Sequence, residues 1–145
     1  MSQNKKLYIE SINNLIFNYV SKPINYYLDA GGGDGLRSTV ISNKIDAKYT
    51  VLIDRSQCMI DLVKRRNFDY VSCIKIADFK YNQKFNLITC LWNVMGHIDS
   101  RKERLASLVN LRKLLSEDGL LIIDVNNRYN INYGLVNVFK NIIKD

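Results

Sequence analysis

A single proline and a single histidine occur in 145 residues, and cysteine appears three times, an odd number. Cys58, Cys73 and Cys90 are widely spaced and embedded in apolar runs, which argues against both a disulfide framework and a zinc site. All three are expected to be core thiols. No run of about 18 apolar residues exists, so no membrane-spanning helix is encoded. Met1 to Lys6 is polar and lacks the following apolar stretch of a secretory leader, so a cytoplasmic setting is expected. Glycine is scarce too, at seven residues, yet four of the seven fall within positions 31–35.

What is present is a chain with 47% hydrophobic residues, enough for one core and too short for two, so residues 1–145 read as a single domain. The formal net charge of +7 raises the question of an anionic partner. The basic residues are scattered, however. The densest groups, Lys64-Arg65-Arg66 and Arg101-Lys102 with Arg104, fall at expected helix ends, where cations complement the helix dipole or face solvent. A nucleic-acid partner is therefore not favoured by charge alone.

The organising stretch is Tyr26-Tyr27-Leu28-Asp29-Ala30-Gly31-Gly32-Gly33-Asp34-Gly35. An apolar run ends in an acid, a glycine-rich turn follows, and Leu36 to Ile45 reads as a helix. A strand, loop and helix of this kind leave a crevice at the strand's carboxyl end, where open α/β sheets bind ligands. Gly31, Gly33 and Gly35 permit positive φ and let a ligand approach closer than a Cβ would allow. The dinucleotide fingerprint G-x-G-x-x-G fails, because its third glycine would fall on Leu36. Asp29 and Asp34 would also repel a pyrophosphate, so a cationic ligand fits better.

Upstream, Leu7 to Val20 has helical spacing, with Ile9, Ile12, Leu15, Ile16, Tyr19 and Val20 along one face, and Pro23 closes that helix. Ile24 to Ala30 reads as strand one. Tyr49 to Asp54 is a second strand ending in an acid, 19 residues beyond Gly35, and Asp54 is placed to accept two ribose hydroxyls. Ser56 reads as the cap of the next helix. Val71 to Ile76 is a third strand, followed by Ala77-Asp78-Phe79. Phe85 to Trp92 is a fourth, with the continuous apolar character of a strand buried on both faces. Asn93 and His97 follow it, four residues apart at the same sheet edge. Ser100 to Leu115 reads as a helix with Leu105, Leu108, Val109, Leu111, Leu114 and Leu115 inward. Ser116 to Gly119 should turn into a fifth strand at Leu120 to Val125, and Tyr133 to Ile143 reads as a last helix.

The pattern Asp29-x-Gly31-x-Gly33-x-Gly35 resembles the first motif of the class I methyltransferases, and Asp54-x-Ser56-x-x-Met59 is similar to the segment that follows their second strand. Phe85 through Asp124 is similar to the corresponding part of the glycine and sarcosine N-methyltransferases. The resemblance covers about residues 25 to 130. It implies an α/β fold of Rossmann-like, doubly wound type: about five parallel strands in order 3-2-1-4-5 with helices on both faces, truncated relative to the family's seven-stranded sheet. Residues 1–22 would form a leading helix, 23–130 the core and 131–145 a closing helix.

The cofactor implied by the resemblance is S-adenosylmethionine. Asp29 would meet its ammonium, Gly31, Gly33 and Gly35 its path along the backbone, and Asp54 and Arg55 its ribose end. Met59, Ala77, Asp78, Phe79 and Leu91 would surround the nucleoside. Asp78 is equally compatible with a plain strand-ending turn. Asn93 and His97 would face a small-molecule acceptor, an amine among the candidates, although His97 also fits a capping or packing role.

The family's acceptor-clamping arginine is replaced here by Asn126, with Arg128 two residues away, which weakens the case for an amino-acid substrate. The family's closing strand hairpin is also missing. The chain is therefore either a fragment or a domain whose fifth strand needs cover from the last helix, a second copy or a partner subunit. A nucleic-acid methyltransferase and a non-catalytic S-adenosylmethionine-binding subunit remain as alternatives. Spermidine-synthase-like aminopropyltransferases share Gly31-Gly32-Gly33-Asp34-Gly35, but carry acids where Trp92 and Asn93 stand.

Overall fold

A computed structural model describes residues 3–20 and 23–126, with the side chains of residues 4–6 left aside. The expected last helix, Asn127, Arg128 and the end of the core lie outside the described residues. The order of elements is α1 (Gln3–Tyr19), β1 (Tyr26–Ala30), α2 (Leu36–Ile45), β2 (Tyr49–Asp54), α3 (Gln57–Val63), β3 (Tyr70–Cys73), β4 (Phe85–Cys90), α4 (Arg101–Leu114) and β5 (Leu115–Ile123). Short 3₁₀ turns cover Ile76–Asp78 and Val94–His97. All five strands are parallel, in the order β3-β2-β1-β4-β5, as the sequence resemblance implied.

Parallel strands alternate their side chains between two faces, and both faces here are covered. Leu28 and Ala30 of β1, Val51 and Ile53 of β2, and Ile88 and Cys90 of β4 join Leu111 and Leu114 of α4 in one buried cluster. The opposite face carries Tyr27 and Leu87, packed against Ile16 of α1 and Ile41 and Ile45 of α2. Leu52 packs with Ile60 and Val63 of α3. α4 begins with Ser100 as its N-cap, the side-chain oxygen accepting the Glu103 N–H at 3.3 Å. α2 ends where Asp46 turns left-handed, at φ 57°. Among the described residues no helix is long and apolar enough to cross a membrane.

Several boundaries and faces differ from expectation. β4 stops at Cys90, not Trp92, because Trp92 and Asn93 both turn left-handed. β3 ends at Cys73, and Ile76 already belongs to a 3₁₀ turn. The expected turn at Ser116 to Gly119 is absorbed into β5 as a bulge: Phe85 pairs with Leu115 and Leu87 with Leu120, so three extra residues loop out. A Cβ on Gly119 would lie 2.8 Å from the Phe85 carbonyl oxygen, so close backbone approach explains this glycine better than helix termination does.

On α4 the inner face is Ser107, Leu111 and Leu114, while Leu105, Leu108 and Val109 are exposed. On α1, Asn13 and Ile16 are buried whereas Leu15 and Tyr19 face outward. Apolar residues alone therefore misplace the helix faces, since small and polar side chains supply part of each contact. Among the described residues β5 pairs only with β4.

The three thiols also divide. Only Cys90 is buried, and its thiol is pushed up to about 12 by burial and by the charges of Asp29 and Asp124; Cys58 and Cys73 are exposed. A thiolate is the reacting species, so a disulfide reagent at pH 8 should modify Cys58 and Cys73 in the native protein and reach Cys90 only after denaturation. Three equally fast thiols would contradict the placement of Cys90.

Candidate functional site

The carboxyl ends of β1, β2 and β4 converge on one rim of the sheet. Gly31 and Gly32 donate their N–H groups to the Ile53 carbonyl at 2.7 and 3.2 Å, which fastens the glycine loop to β2. The Asp54 carboxylate then clamps it. Oδ2 accepts the Gly33 N–H at 3.0 Å and Oδ1 accepts the Ser56 N–H at 2.8 Å, so one side chain joins the loop to the start of α3. Ser56 precedes α3 without a side-chain cap; the neighbouring Asp54 ties down the Ser56 amide itself.

Gly31, Gly33 and Gly35 all take positive φ, at 82°, 58° and 74°. Their surroundings differ. A Cβ on Gly31 would strike Val94 at 2.6 Å, so that glycine makes room for the turn after β4. A Cβ on Gly33 would meet nothing within 4 Å. Gly33 therefore presents bare backbone to open space, as a loop in contact with a ligand must.

Two cavities meet at this loop, sharing Gly31, Gly33, Met59 and Trp92. The first, about 360 Å³, is bounded by Asp54, Arg55 and Ser56 on one side and by Ile74, Lys75 and Ile76 on the other; Val94, His97, Ile98, Glu103 and Ser107 close it. The second, about 370 Å³, runs beneath the loop past Asp29, Asp34, Arg37, Leu62 and Leu91. Each has the size of a small-molecule site. The first is predominantly apolar, with a few polar groups at its edge.

The polar floor of the second cavity is a buried chain. Asp29, 4% exposed, accepts from Ser38 Oγ on one oxygen and from Thr89 Oγ1 at 2.8 Å on the other. Because Thr89 spends its proton on Asp29, it accepts from the Tyr27 hydroxyl, also at 2.8 Å. Burial raises the Asp29 carboxyl above its ordinary value, against the lowering effect of the Ser38 and Thr89 hydrogen bonds and of Arg37. Burial raises Tyr27 well above the usual phenol range.

After β4 the backbone is strained. Trp92 and Asn93 sit at φ 67° and 55°, consecutive non-glycine residues in the left-handed region. Asp124 holds them there: its Oδ1 accepts the Asn93 N–H at 2.6 Å and its Oδ2 the Tyr8 hydroxyl of α1 at 3.2 Å. The Asn93 side-chain oxygen accepts the Asn126 N–H at 3.1 Å, and a Cβ on Gly96 would fall 2.3 Å from the Asn93 amide nitrogen. The Asn93 amide is thus built into the turn, whereas His97 lies exposed on the first cavity.

Of the residues expected from sequence, the first cavity gathers Gly31, Gly33, Asp54, Arg55, Met59 and His97, and the second adds Asp29 and Leu91. Gly35, Asn93, Ala77, Asp78 and Phe79 line neither cavity. Phe79 is 2% exposed and packs with Tyr70 and Tyr81 in the core, while Asp78 is exposed in its turn. Their place on the wall is taken by Ile74, Lys75 and Ile76. Asn110 of α4 fixes this segment by donating to the Ile76 and Phe79 carbonyls at 2.7 and 2.8 Å. Lys75 pairs with Glu103 at 3.1 Å across the cavity mouth. Sequence reasoning missed Ile74 to Ile76, Arg37, Glu103 and Ser107. The last three sit on helices, where no motif marks which turn will face the loop.

No family model matches the sequence, and no curated protein matches it. Solved structures do resemble it. A S-adenosylmethionine-dependent methyltransferase from Clostridium acetobutylicum is 22% identical with a TM-score of 0.67, over 91% of this chain and 54% of the other. The plantazolicin methyltransferase BpumL, in complex with a triazolic desmethylPZN analog and SAH, is 24% identical with a TM-score of 0.70, over 91% and 50%. The N-methyltransferase NodS from Bradyrhizobium japonicum is 16% identical with a TM-score of 0.74, over 95% and 78%. The chain thus has the fold of the class I S-adenosylmethionine-dependent methyltransferases, and it spans about half the length of the first two.

The raised Asp29 carboxyl has a consequence for stability. Between the ordinary value of about 3.9 and the raised one, the folded state holds more protons than the unfolded state. The contribution of this group is therefore greatest below that window and is lost as pH rises through it. Melting temperature measured against pH should fall less across this window in Asp29→Asn than in the wild type; identical slopes would refute the shift.

Proposed function

We propose that this chain is an S-adenosylmethionine-dependent methyltransferase acting on a small-molecule acceptor. The observation that carries the reading is the pair of acid-edged cavities joined at Gly33, where bare backbone in a left-handed loop faces open space. The donor set fits the cofactor. Each Asp54 oxygen accepts one internal hydrogen bond and keeps a second lone pair for a ribose hydroxyl. Met59, Ile74 and Ile76 supply apolar walls for a nucleobase, and Asp29 a buried negative charge for an ammonium.

When bound, S-adenosylmethionine supplies a methyl group activated by its sulfonium. The protein's part is to hold donor and acceptor in line and exclude water, a contribution of about 7–11 kcal/mol in favourable cases. We assign His97 to the acceptor as a proton acceptor within the first cavity, worth about a hundredfold in rate or more. Asn93 supports it by holding the turn that carries His97, whose N–H donates to the Asn93 carbonyl at 3.2 Å. The likeness to NodS, an N-methyltransferase, supports an amine as acceptor. Asn126 carries no charge with which to clamp an acceptor carboxylate; its backbone N–H donates to Asn93 Oδ1 at 3.1 Å. BpumL, held with SAH, supports the choice of cofactor.

Binding of S-adenosylhomocysteine should raise the melting temperature by mass action, while NAD should leave it unchanged. Asp54→Ala should weaken S-adenosylhomocysteine at least tenfold in calorimetry. Unaltered affinity would remove the ribose assignment.

A second reading rests on β5, which among the described residues pairs only with β4: a cofactor-binding unit that turns over only with a partner or a second copy covering that strand. Cofactor binding without turnover, restored by association, would favour it. Turnover by the isolated chain as a monomer would exclude it.

A further inference from the structure

The crossover from β3 to β4 carries no α-helix, whereas α2, α3 and α4 bridge the other three pairs of consecutive strands. Parallel strands are usually joined through a helix that covers the sheet. Here residues 74–84 pass through a short 3₁₀ turn instead, and aromatic rings cover the amino ends of the strands. Tyr26 of β1 stands opposite Tyr49 of β2, and their rings stack at 5.0 Å and 14°. From Tyr26 the row continues through Phe85 and Tyr81 to Tyr70, the first residue of β3, at ring separations of 6.4, 5.2 and 5.7 Å.

The row is buried in its middle and open at its ends. Phe85 is fully buried, while Tyr49 and Tyr70 remain 48% and 43% exposed. Val51 pairs with Tyr70, so Tyr49 lies two residues nearer the amino end of the adjoining strand and on the same sheet face. Strand rise and strand spacing put the two Cα atoms about 8 Å apart. A cavity of about 360 Å³ opens beside Tyr70, bounded by Lys80, Tyr81, Asn82 and Gln83, with no acid among them. The nearby Asp69 carboxylate is engaged, accepting the Thr50 N–H at 2.7 Å. Lys48 and Lys80 are exposed, and neither forms an ion pair among the described residues.

Exposed tyrosine rings offer stacking faces to any nucleobase, and free lysines beside them suit phosphates. The carboxamides of Asn82 and Gln83 each combine a donor with an acceptor, as the edge of a base does. A lone nucleotide would use one ring, whereas two rings on one face suit successive bases of an extended strand. A proline-rich peptide also packs on tyrosine, but it has no use for the two lysines. These side chains sit at the amino ends of the strands, away from the rim that holds the two cavities of the candidate site.

We propose that this amino-edge surface binds single-stranded nucleic acid, with bases stacked on Tyr49 and Tyr70 and the phosphate backbone following Lys48 and Lys80. The inference is independent of the methyl-transfer reading and assigns no chemistry to the bound strand.

Fluorescence anisotropy with a short labelled oligouridine, its duplex with oligoadenosine, uridine monophosphate as competitor and a labelled proline-rich peptide tests the assignment. The single strand should bind about tenfold or more tighter than the duplex, whose bases are already stacked on one another. Tyr49→Leu and Tyr70→Leu, which keep an apolar side chain but remove the ring, should each weaken it about fivefold or more. Lys48→Gln and Lys80→Gln should each reduce the slope of log affinity against log salt by about 0.7, a readout that remains if a tyrosine variant is unstable. Affinity for S-adenosylhomocysteine should stay within about twofold of the wild type in every variant that folds. A wild type that ignores the oligonucleotide, or prefers the peptide, would overturn the proposal. Binding left unchanged by all four substitutions would do the same, since it would reflect net charge elsewhere on the surface. Uridine monophosphate competing as tightly as the strand would overturn it in favour of a single-nucleotide site.

Discussion

One carboxylate, that of Asp54, holds the candidate site together. Its two oxygens take the amides of Gly33 and Ser56, so the loop after β1 and the start of α3 hang from the end of β2. Hydrogen bonds to a charged acceptor are shorter and roughly twice as strong as neutral ones, which suits a loop with no side chains of its own to pack. The arrangement requires β1 and β2 to be neighbours in exact register, with Ala30 opposite Ile53. The apolar core on both sheet faces sets that register, since a slip of one residue would turn Leu28 and Val51 away from their cluster.

A second carboxylate does comparable work across the rim. Asp124, just past β5, holds the left-handed backbone at Asn93 and reaches Tyr8 of α1. Backbone strain of about 1–3 kcal/mol per residue persists only where surrounding bonds over-determine it. Here the Asn93 N–H, its side-chain oxygen and its carbonyl are all engaged. The strained turn brings Val94 against Gly31 and places His97 on the first cavity. The leading helix is joined to the same rim through Tyr8 and through Asn13, the partner of Arg37.

The polar groups under the loop obey a different logic. Tyr27, Thr89, Asp29 and Ser38 form a continuous buried hydrogen-bonded chain on the face shared with α2. Burying an acid is tolerable when its oxygens are supplied with donors, and Asp29 has one on each. Arg37, next to Ser38 on the same helix, has no such supply at its terminal nitrogens among the described residues. The contrast between a satisfied anion and an unsatisfied cation on one cavity wall gives the space its polarity.

Much of this was legible from residues alone. Alternating glycines behind an acid, and a second acid at the end of the next strand, are local patterns whose geometry follows from φ restrictions and strand periodicity, so Leu36–Ile45 and Tyr49–Asp54 could be read to the residue. Long-range choices were not legible. Phe79 was expected beside the nucleoside but fills the core, and the wall fell to Ile74, Lys75 and Ile76, because Asn110 on a distant helix holds that segment's carbonyls. Sequence determined which strands end in acids and where the glycine loop turns the chain back after β1. Tertiary structure alone decided which helix face meets the rim, and hence that Arg37 would reach the cavity: helical spacing ranks apolar faces, while a buried guanidinium is placed by partners far away in the chain.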